Sequence, residues 1–308
     1  MVAALCGGVG AARFLRGLVD VVDPRRVVAV VNTGDDAVLH GLHVSPDLDT
    51  VTYTLAGAIS RERGWGLEGE TWMAMDALAR YPSRLSWFGL GDRDLATHLF
   101  RTQRLGDGAL LSTVTAEIAA AWGVDVPILP VTDDRLETVM DVEGEGEVGF
   151  QDYFVRLRHS VVVRGVRFRG ADGAGPAPGV LDALQTADLI VICPSNPIVS
   201  IGPVLAVPGV REAVVARRDR VVAVSPIVAG AALKGPADRL MAELGHEVSV
   251  VGVAHLYALV AATLVIDAAD AALAPAVEAA GMRCIVTPTV MRSPAEAAAL
   301  ARTVVGAV

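Results

Sequence analysis

Short segments that are apolar at nearly every position recur along the chain, and stretches with helical spacing separate them. A strand that is apolar throughout has both faces buried, which is typical of a parallel sheet covered by helices on both sides. The pattern predicts an α/β fold with a doubly wound, mainly parallel, Rossmann-like sheet. Its predicted strands are residues 2–6, 27–31, 126–131, 189–193, 221–224, 263–266 and 284–286.

A largely helical insertion at about residues 60–122 interrupts the first half of this pattern. Its amphipathic stretches are residues 70–81, 94–105 and 112–122. Residues 137–169 alternate as in strands, and a Gly-Glu repeat at 143–147 is typical of a hairpin tip. The Gly/Pro/Ala-rich segment 170–179 is the best candidate for an internal linker. We nevertheless expect one α/β domain over residues 1–308.

The overall charge limits the partners that the chain can bind. With 26 basic and 35 acidic residues its formal net charge is −9, which disfavours nucleic acid and anionic membranes. No stretch reaches the ~18 consecutive apolar residues that a membrane span requires, and the N-terminus lacks the basic start of a signal peptide. Cys6, Cys193 and Cys284 lie far apart in apolar runs, so we expect buried thiols in a reducing cytoplasm.

Three glycines follow the first predicted strand, in the turn Gly7-Gly8-Val9-Gly10. In such a turn at the start of a helix, backbone amides can approach a phosphate. It is not a Walker loop, because no Gly-Lys-Ser/Thr follows, and Arg13 stands where a dinucleotide fingerprint has its third glycine. A large cation there suits an anion. The segment therefore predicts a phosphate site that includes Arg13, or else simply a tight strand-to-helix turn.

Four aspartates follow the second predicted strand in a stretch, residues 27–60, that has no lysine or arginine. They are Asp35, Asp36, Asp47 and Asp49. Ligands of an open α/β sheet lie at the carboxyl ends of its strands. Carboxylates without a nearby cation repel one another unless a metal or a cationic ligand lies among them. The pattern predicts a metal-dependent site, and the alternative is a solvated turn, where aspartate is common.

Arg93 lies between Asp92 and Asp94 immediately before a predicted helix, for which Asp94 is a candidate N-cap. The two carboxylates could hold the guanidinium at a fixed angle for a ligand. The alternative is a solvated ion pair, which contributes less than ~1 kcal/mol.

Two more loops follow predicted strands and carry polar side chains. Ser195 and Asn196 offer a hydroxyl and an amide suited to a ribose, a phosphate or a base edge. Lys234, the only lysine of the chain, lies in a Gly-rich loop and is either a ligand contact or a solvated side chain. Trp65, between two glycines, could cover a flat ligand.

These motifs together resemble the 2-phospho-L-lactate transferase family of coenzyme F420 biosynthesis, the CofD family, and in particular its actinobacterial branch. The resemblance runs from residue 5 to about residue 240. It rests on residues 7–15, 32–36, 40–42, 46–50, 63–66, 70–72, 87–88, 91–98, 132–135, 194–197 and 225–227.

The resemblance implies a transferase whose acceptor is 7,8-didemethyl-8-hydroxy-5-deazariboflavin. The terminal ribityl hydroxyl of this deazaflavin attacks the phosphorus of lactyl-2-diphospho-5′-guanosine, or of its enolpyruvyl or glyceryl analogue, and GMP departs. A Mg²⁺ ion and oriented amides stabilise the charge that the transition state keeps on its non-bridging oxygens. The three-carbon acid is left open, although the actinobacterial resemblance favours enolpyruvate. The family also implies a homodimer.

Candidate roles follow for individual residues. The predicted metal ligands are Asp36, Asp47 and Asp49, and the predicted catalytic carboxylates are Asp49 and Asp36. The predicted substrate contacts on the donor side are Gly7, Gly8, Gly10, Arg13, Asn32, Ser195 and Asn196. By the resemblance, Asp49 and Arg93 contact the deazaflavin, and the insertion at 60–122 forms part of the acceptor site.

Two other functions are alternatives. Distant relatives in the same superfamily resemble nucleotide-sugar-binding regulators of bacterial carbon metabolism and share the glycine turn and the 32–36 region. Such a regulator would bind a uridine nucleotide and ignore the deazaflavin. A nicotinamide-dependent dehydrogenase is disfavoured, because Arg13 replaces the third glycine and a second acid cluster accompanies the acids after the second strand.

Overall fold

A computed structural model describes residues 1–82 and 87–308 of the chain. Within these ranges the strands are β1 (Val2–Cys6), β2 (Val27–Val31), β3 (Ala37–Leu39), β4 (Leu42–Val44), β5 (Ile128–Pro130), β6 (Glu137–Val142), β7 (Gly146–Gly149), β8 (Val163–Arg169), β9 (Leu189–Ile192), β10 (Val221–Val224), β11 (Ile227–Val228), β12 (Ala231–Ala232), β13 (Thr263–Ile266) and β14 (Arg283–Val286). Seven of them form one sheet in the order β14-β13-β10-β9-β1-β2-β5, and every neighbouring pair is parallel. The predicted parallel sheet is therefore confirmed.

The direction in which strands are added reverses between β1 and β9. From β1 the sheet grows through β2 to β5, and from β9 it grows the other way through β10, β13 and β14. In open α/β sheets, ligands bind outside the carboxyl ends of the strands at such a switch point. The loops that follow β1 and β9 are therefore where the fold alone places a binding site.

Helices cover both faces of this sheet. They are α1 (Gly8–Leu18), α2 (Pro46–Leu55), α3 (Met73–Leu78), α4 (Asp94–Gly106), α5 (Leu111–Ala121), α6 (Val180–Thr186), α7 (Gly202–Ala206), α8 (Val210–Ala216), α9 (Ala237–Glu243), α10 (Val250–Tyr257), α11 (Ala274–Ala279) and α12 (Pro294–Val305). Because successive strand side chains point to opposite faces, Leu5 and Ile192 belong to one core, and Cys6 and Cys193 to the other. Helices α1, α2 and α12 pack on the second core, and α6 to α11 on the first. This arrangement confirms a doubly wound sheet.

A smaller antiparallel sheet follows β5. Strand β6 pairs with β7 and β8, and the predicted hairpin tip at 143–147 does connect β6 to β7. The segment 170–179 is not a flexible linker, because the N–H of Ala177 donates to Val131 O and Thr132 Oγ1 donates to Gly175 O. Its small side chains let it pack closely beside the end of β5.

The predicted insertion at 60–122 contains α3, α4 and α5, and residues 83–86 of it lie outside the described ranges. Helix α3 is shorter than the predicted 70–81, because residues before Met73 form a loop. Within residues 1–82 and 87–308, no single helix is long and apolar enough to cross a membrane. Two shorter helical segments, Pro197–Ala206 and Val210–Ala216, meet that test only when they are taken together, and they are bent by 96° relative to each other.

Candidate active site

Two loops from distant parts of the sequence meet at the switch point. The backbone N–H of Gly7, after β1, donates to Ser195 Oγ, after β9, over 3.3 Å. A Cβ at Gly10 would lie 2.1 Å from the carbonyl oxygen of Pro194, so only glycine allows α1 to start this close to the β9 loop. The structure thus brings together three of the predicted substrate contacts.

The first turn of α1 is open on its outer side. Its N-cap is Gly7, which has no side chain to cap the helix, and the turn contains no acidic residue of its own, although the backbone N–H of Gly8 faces the carboxylate of Asp47. Gly8 has a φ of +73°, and the nearest atom to a Cβ built there is Asp47 Oδ1, at 3.8 Å. Because the N–H groups at the start of a helix attract anions, this turn can take a phosphate.

Asn196 organises the loop after β9. Its Oδ1 accepts from the backbone N–H groups of Ile198, at 2.9 Å, and Val199, at 3.3 Å, and so caps the helical turn Pro197–Ile201. Its Nδ2 is buried and has no hydrogen-bond partner among residues 1–82 and 87–308. A buried donor is costly unless something accepts from it, so Nδ2 is a candidate contact for a ligand.

Asn32 holds Asp47 next to the glycine turn. Asn32 is fully buried after β2, and its Nδ2 donates to Asp47 Oδ2 over 2.9 Å while its Oδ1 accepts from the N–H of Gly34. Burial raises the pKa of Asp47 to about 6, although hydrogen bonds from Asn32 and the backbone of Gly8 oppose the shift. In this structure Asn32 orients Asp47, and a direct contact with substrate stays a prediction.

Asp35 and Asp36 each have a carboxylate oxygen without a partner. Ser45 Oγ donates to Asp36 Oδ2 over 2.6 Å, whereas Oδ1 of both residues is buried with no hydrogen bond from the described parts of the chain. Burial raises the pKa of both carboxyls. The charge of Asp47 raises the pKa of Asp35 further, whereas the pKa shift of Asp36 is opposed by Ser45 and Arg101 and increased by Asp49. A divalent cation would supply partners for both oxygens and add to the positive charge of Arg101 that already acts on Asp36, so these oxygens fit a metal.

Asp49 faces α4, although its charge still acts on Asp36. Asp47 and Asp49 are two positions apart in the first turn of α2, so their side chains do not share a face of the helix. Both oxygens of Asp49 accept from the guanidinium of Arg101, with an NH1–Oδ2 distance of 3.1 Å. The stretch 27–60 has no basic residue of its own, but the fold brings a cation from 52 residues later to Asp49.

A buried polar network surrounds this ion pair. His98 Nδ1 lies 3.7 Å from Asp49 Oδ2, and His98 Nε2 lies 3.3 Å from Asp94 Oδ2. Tyr53 donates to Asp94 Oδ1 over 2.7 Å. Burial alone would raise the pKa of Asp94, but the hydrogen bond and charge of His98 lower it.

In the described residues, one group of three has the spacing of a metal site. The ligand atoms of Asp49, Asp94 and His98 all lie within 4.8 Å of one another, which is compatible with a divalent ion. The structure does not gather the predicted ligands Asp36, Asp47 and Asp49 in this way. The reason is the divergence of the two aspartates on α2, described above.

The sequence suggested that Asp92 and Asp94 hold the guanidinium of Arg93, but in the structure both carboxylates have other partners. Asp92 accepts from two backbone N–H groups at the start of α3, at 2.9 Å each, and so caps that helix. Asp94 is engaged by Tyr53 instead. The exposed guanidinium of Arg93 donates to the carbonyl of Glu68, so the preceding loop positions it.

Glu70, and not Asp94, caps helix α4. One oxygen of Glu70 accepts from the N–H of Arg93 over 2.8 Å, and the other from the N–H of Asp94 over 2.7 Å. The sequence signal was weak, because the capping side chain lies 24 residues before the helix. The two cross-caps fix the 60–72 loop, α3 and the start of α4 relative to one another.

A pair of tryptophans, one exposed and one half-buried, lies on the same loop. The rings of Trp65 and Trp72 meet edge to face with centroids 6.2 Å apart, and the Arg63 guanidinium lies 5.5 Å and 5.7 Å from the two ring centroids. Trp65 is 48% exposed, so it can still contact a flat molecule. A Cβ at Gly69 would lie 3.7 Å from Arg93 NH1, which places this loop beside Arg93.

Arg101 is the main site residue that the sequence analysis did not single out. A signal for it was present, because Asp94, Thr97, His98 and Arg101 follow the i, i+3, i+4, i+7 spacing of one helix face. All four lie toward the protein, with Arg101 only 1% exposed. A polar stripe on an amphipathic helix is therefore compatible either with a buried polar network or with a solvated face.

Comparison with known proteins gives a family match over most of the chain. Residues 2–284 match the family described as 2-phospho-L-lactate transferase CofD. Proteins named phosphoenolpyruvate transferase are 48% identical in Streptomyces griseus subsp. griseus and in Kitasatospora aureofaciens, in each case over 98% of this chain and 96% of the relative. A protein of the same name from Mycolicibacterium smegmatis is 40% identical over 98% of this chain and 96% of the relative.

A solved structure has the same fold. A member of the UPF0052 family from Bacillus halodurans superimposes with a TM-score of 0.64 at 17% identity, over 99% of this chain and 98% of the other. At this identity the likeness concerns the fold alone. It agrees with the α/β architecture described above.

Proposed function

This chain belongs to the 2-phospho-L-lactate transferase CofD family, and we propose that it transfers a phosphoenolpyruvyl group from a guanosine-diphosphate-linked donor to 7,8-didemethyl-8-hydroxy-5-deazariboflavin. The terminal ribityl hydroxyl of the acceptor forms a bond to the phosphorus that carries the three-carbon acid. The bond from that phosphorus to the bridging oxygen breaks, GMP leaves with the electron pair, and the hydroxyl proton is released. The chain is an enzyme, and the product would be the dehydro form of coenzyme F420-0.

The observation that carries this proposal is the meeting of the glycine turn and the Ser195 loop at the switch point. It places the start of α1, the Ser195 hydroxyl and Nδ2 of Asn196, which has no partner in the described residues, at one edge of the sheet. Oriented donors of this kind bind a diphosphate and stabilise charge on the oxygens of the transferred phosphoryl group. We therefore assign the guanosine-diphosphate end of the donor to Gly7, Gly8, Gly10, Arg13, Ser195 and Asn196.

The acceptor is assigned to the neighbouring loop and α4. Helix α2 links the two sides, because Asp47 lies beside Gly8 while Asp49 lies beside α4. The deazaflavin would contact Asp49 and Arg93, with Trp65 available to its flat ring system. In a loose transition state, positioning of this kind outweighs base catalysis, so we assign to Asp49 and Asp36 the orientation of the attacking hydroxyl.

We propose Mg²⁺ as the divalent ion, held by Asp36 and Asp47. Asp36 Oδ1 is buried without a partner in the described residues, and burial raises the pKa of both carboxyls, so a cation beside them would stabilise their charged forms. Asp49 also remains a candidate ligand, although Arg101 already occupies its oxygens. When bound, the ion would neutralise charge on the donor diphosphate.

Enolpyruvate is the proposed three-carbon acid because the similar actinobacterial proteins carry that name. Lactyl and glyceryl donors are the alternatives to be tested beside it. We further propose a homodimer in the cytoplasm, supported by the family and by the three free cysteines. Light scattering in solution measures the oligomeric state directly.

The test is a reaction of the purified protein with Mg²⁺, the deazaflavin and each of the three guanosine-linked donors. We expect GMP and a new deazaflavin product in equal amounts, with the mass of the enolpyruvyl adduct formed fastest. Fluorescence of the deazaflavin reports its binding separately. No product with any donor, together with binding of a uridine nucleotide and no binding of deazaflavin, would instead favour a regulatory relative.

A further inference from the structure

The only lysine of the chain lies beside the start of α1. Lys234 Nζ would be 2.8 Å from a Cβ at Gly64, and the same point lies 3.5 Å from Val9 Cγ1 and 3.8 Å from Arg13 NH2. Three separate segments therefore meet here: the first turns of α1, the loop before Trp65, and the loop between β12 and α9. None of these segments is close to the others in sequence.

Two positively charged side chains, Arg13 and Lys234, lie close together at this point. Within residues 1–82 and 87–308, neither Arg13 nor Lys234 forms a salt bridge, whereas arginines such as Arg16, Arg104 and Arg167 are paired. Desolvation and, after it, the charge of Arg13 lower the pKa of Lys234. Like charges held together by packing repel one another, and a bound anion would relieve the repulsion.

The surroundings of Arg13 and Lys234 also favour a negatively charged ligand. The cations lie beside the first turn of α1, which contains no acidic residue and whose N–H groups attract anions. Gly64 is buried under them, and its φ of +78° lets the loop approach closely. Lys234 itself is exposed, so an incoming molecule can reach it.

We propose that Lys234 and Arg13 together bind an anionic group of the donor, either a phosphate of its diphosphate or the carboxylate of its three-carbon acid. Lys234 thereby becomes a substrate-binding residue of the enzyme, contributed by the second half of the chain. The inference rests on the proposed function for the identity of the donor. The binding of an anion by this pair is measurable without any turnover.

Because the chain has one lysine, acylation by an amine-reactive reagent reports on Lys234 alone, apart from the N-terminus. The α-amine of Met1, which pairs with Asp188 away from the site, is the internal reference. We expect saturating GDP or pyrophosphate to slow acylation of Lys234 and leave that of Met1 unchanged, as read by peptide mass spectrometry. Protection by pyruvate alone, with none from GDP or pyrophosphate, assigns the pair to the carboxylate and also supports the proposal.

Binding of GDP, measured by calorimetry, provides the second test. Lys234→Gln should weaken it about 10- to 100-fold, the range of one hydrogen bond to a charged group, and Lys234→Arg should restore most of it. If the pair binds the carboxylate, the same loss appears with pyruvate as the probe. Arg292→Gln, an exposed cation elsewhere on the surface, is the matched control and should bind like the wild type.

The inference would be overturned if GDP, pyrophosphate and pyruvate all failed to slow the acylation of Lys234. It would also be overturned if Lys234→Gln bound all three with the affinity of the wild type. Either outcome in a protein that still makes product leaves the proposed function intact. The reverse outcome, binding that depends on Lys234 in a protein that makes no product, rejects the transfer reaction and retains the anion site.

Discussion

Both carboxylate oxygens of Asp49 accept hydrogen bonds from Arg101, a side chain 52 residues later in the chain and only 1% exposed. Removing one partner of a buried ion pair leaves the other charge uncompensated, at a cost of about 3–5 kcal/mol. We expect Arg101→Gln and Asp49→Asn each to lower the free energy of unfolding by this amount. Urea denaturation followed by circular dichroism measures it.

An exposed ion pair provides the control. Arg16 NH1 in the last turn of α1 lies 2.7 Å from Oδ1 of Asp20, just after the helix, and each side chain is 40% exposed. Arg16→Gln should therefore cost less than ~1 kcal/mol. The double variant of Asp49 and Arg101 should be more stable than the sum of the single losses predicts. An Arg101→Gln protein as stable as Arg16→Gln would show that the pair does not stabilise the fold.

The sequence singled out these acids as candidates but did not predict what the fold packs against them. A stretch of residues 27–60 without a cation is a local fact, whereas the charge balance of a buried group depends on whatever the fold packs against it. Arg101 reaches Asp49 only because α4 lies across α2. Its helical spacing with His98 was visible beforehand, but a polar stripe is equally compatible with solvent.

The sheet was more predictable than the loops around it. A strand buried on both faces must be apolar throughout, so composition alone identifies segments such as 189–193. The segment 170–179 has the composition of a linker, yet Thr132 and Ala177 tie it to the end of β5. Small residues allow flexibility and close packing equally, and only tertiary contacts distinguish the two.

The second prediction is that turnover requires a divalent ion. Buried oxygens of Asp35 and Asp36 have no partner in the described residues, and burial raises the pKa of Asp47 to about 6. Chelation should abolish product formation, and Mg²⁺ or Mn²⁺ should restore it. Asp36→Asn and Asp47→Asn should each weaken Mn²⁺ binding by roughly 10- to 100-fold, the effect typical of disturbing a metal site, as measured by electron paramagnetic resonance.

The controls separate the two places where an ion could bind. Asp172→Asn, at an exposed aspartate outside the site, should bind Mn²⁺ like the wild type. His98→Asn removes a member of the Asp49, Asp94 and His98 group. Loss of Mn²⁺ in that variant alone would move the ion to the Arg101 network. Full turnover after exhaustive chelation would remove the metal from the reaction altogether.

The third prediction concerns the open turn at Gly8. Its φ of +73° strains any L-residue by about 1–2 kcal/mol, and a Cβ there would point into the space assigned to the donor phosphates. Gly8→Ala should weaken competitive inhibition by GDP much more than it lowers stability. Gly123→Ala is the matched control, because Gly123 has a φ of +67° and nothing within 4 Å of its Cβ position. Equal inhibition of the two variants would place the nucleotide elsewhere.

The last prediction is that Arg93 serves the acceptor and not the nucleotide. One nitrogen of its guanidinium is held by the carbonyl of Glu68, while the side chain stays exposed beside the loop that carries Trp72. The remaining N–H groups can donate in parallel to the carbonyls and the acidic phenol of the deazaflavin. Lysine keeps the charge but loses the planar fork.

We therefore expect Arg93→Lys to raise the KM for the deazaflavin by the equivalent of about 1–3 kcal/mol and to change the KM for the donor much less. Initial rates with each substrate varied in turn separate the two constants. Arg80→Lys, at an exposed arginine after α3, is the matched control and should leave both unchanged. If the donor KM rises while deazaflavin binding persists, Arg93 belongs with Arg13 and Lys234 on the phosphate side, and the acceptor must be held by Asp49 and the tryptophan pair without it.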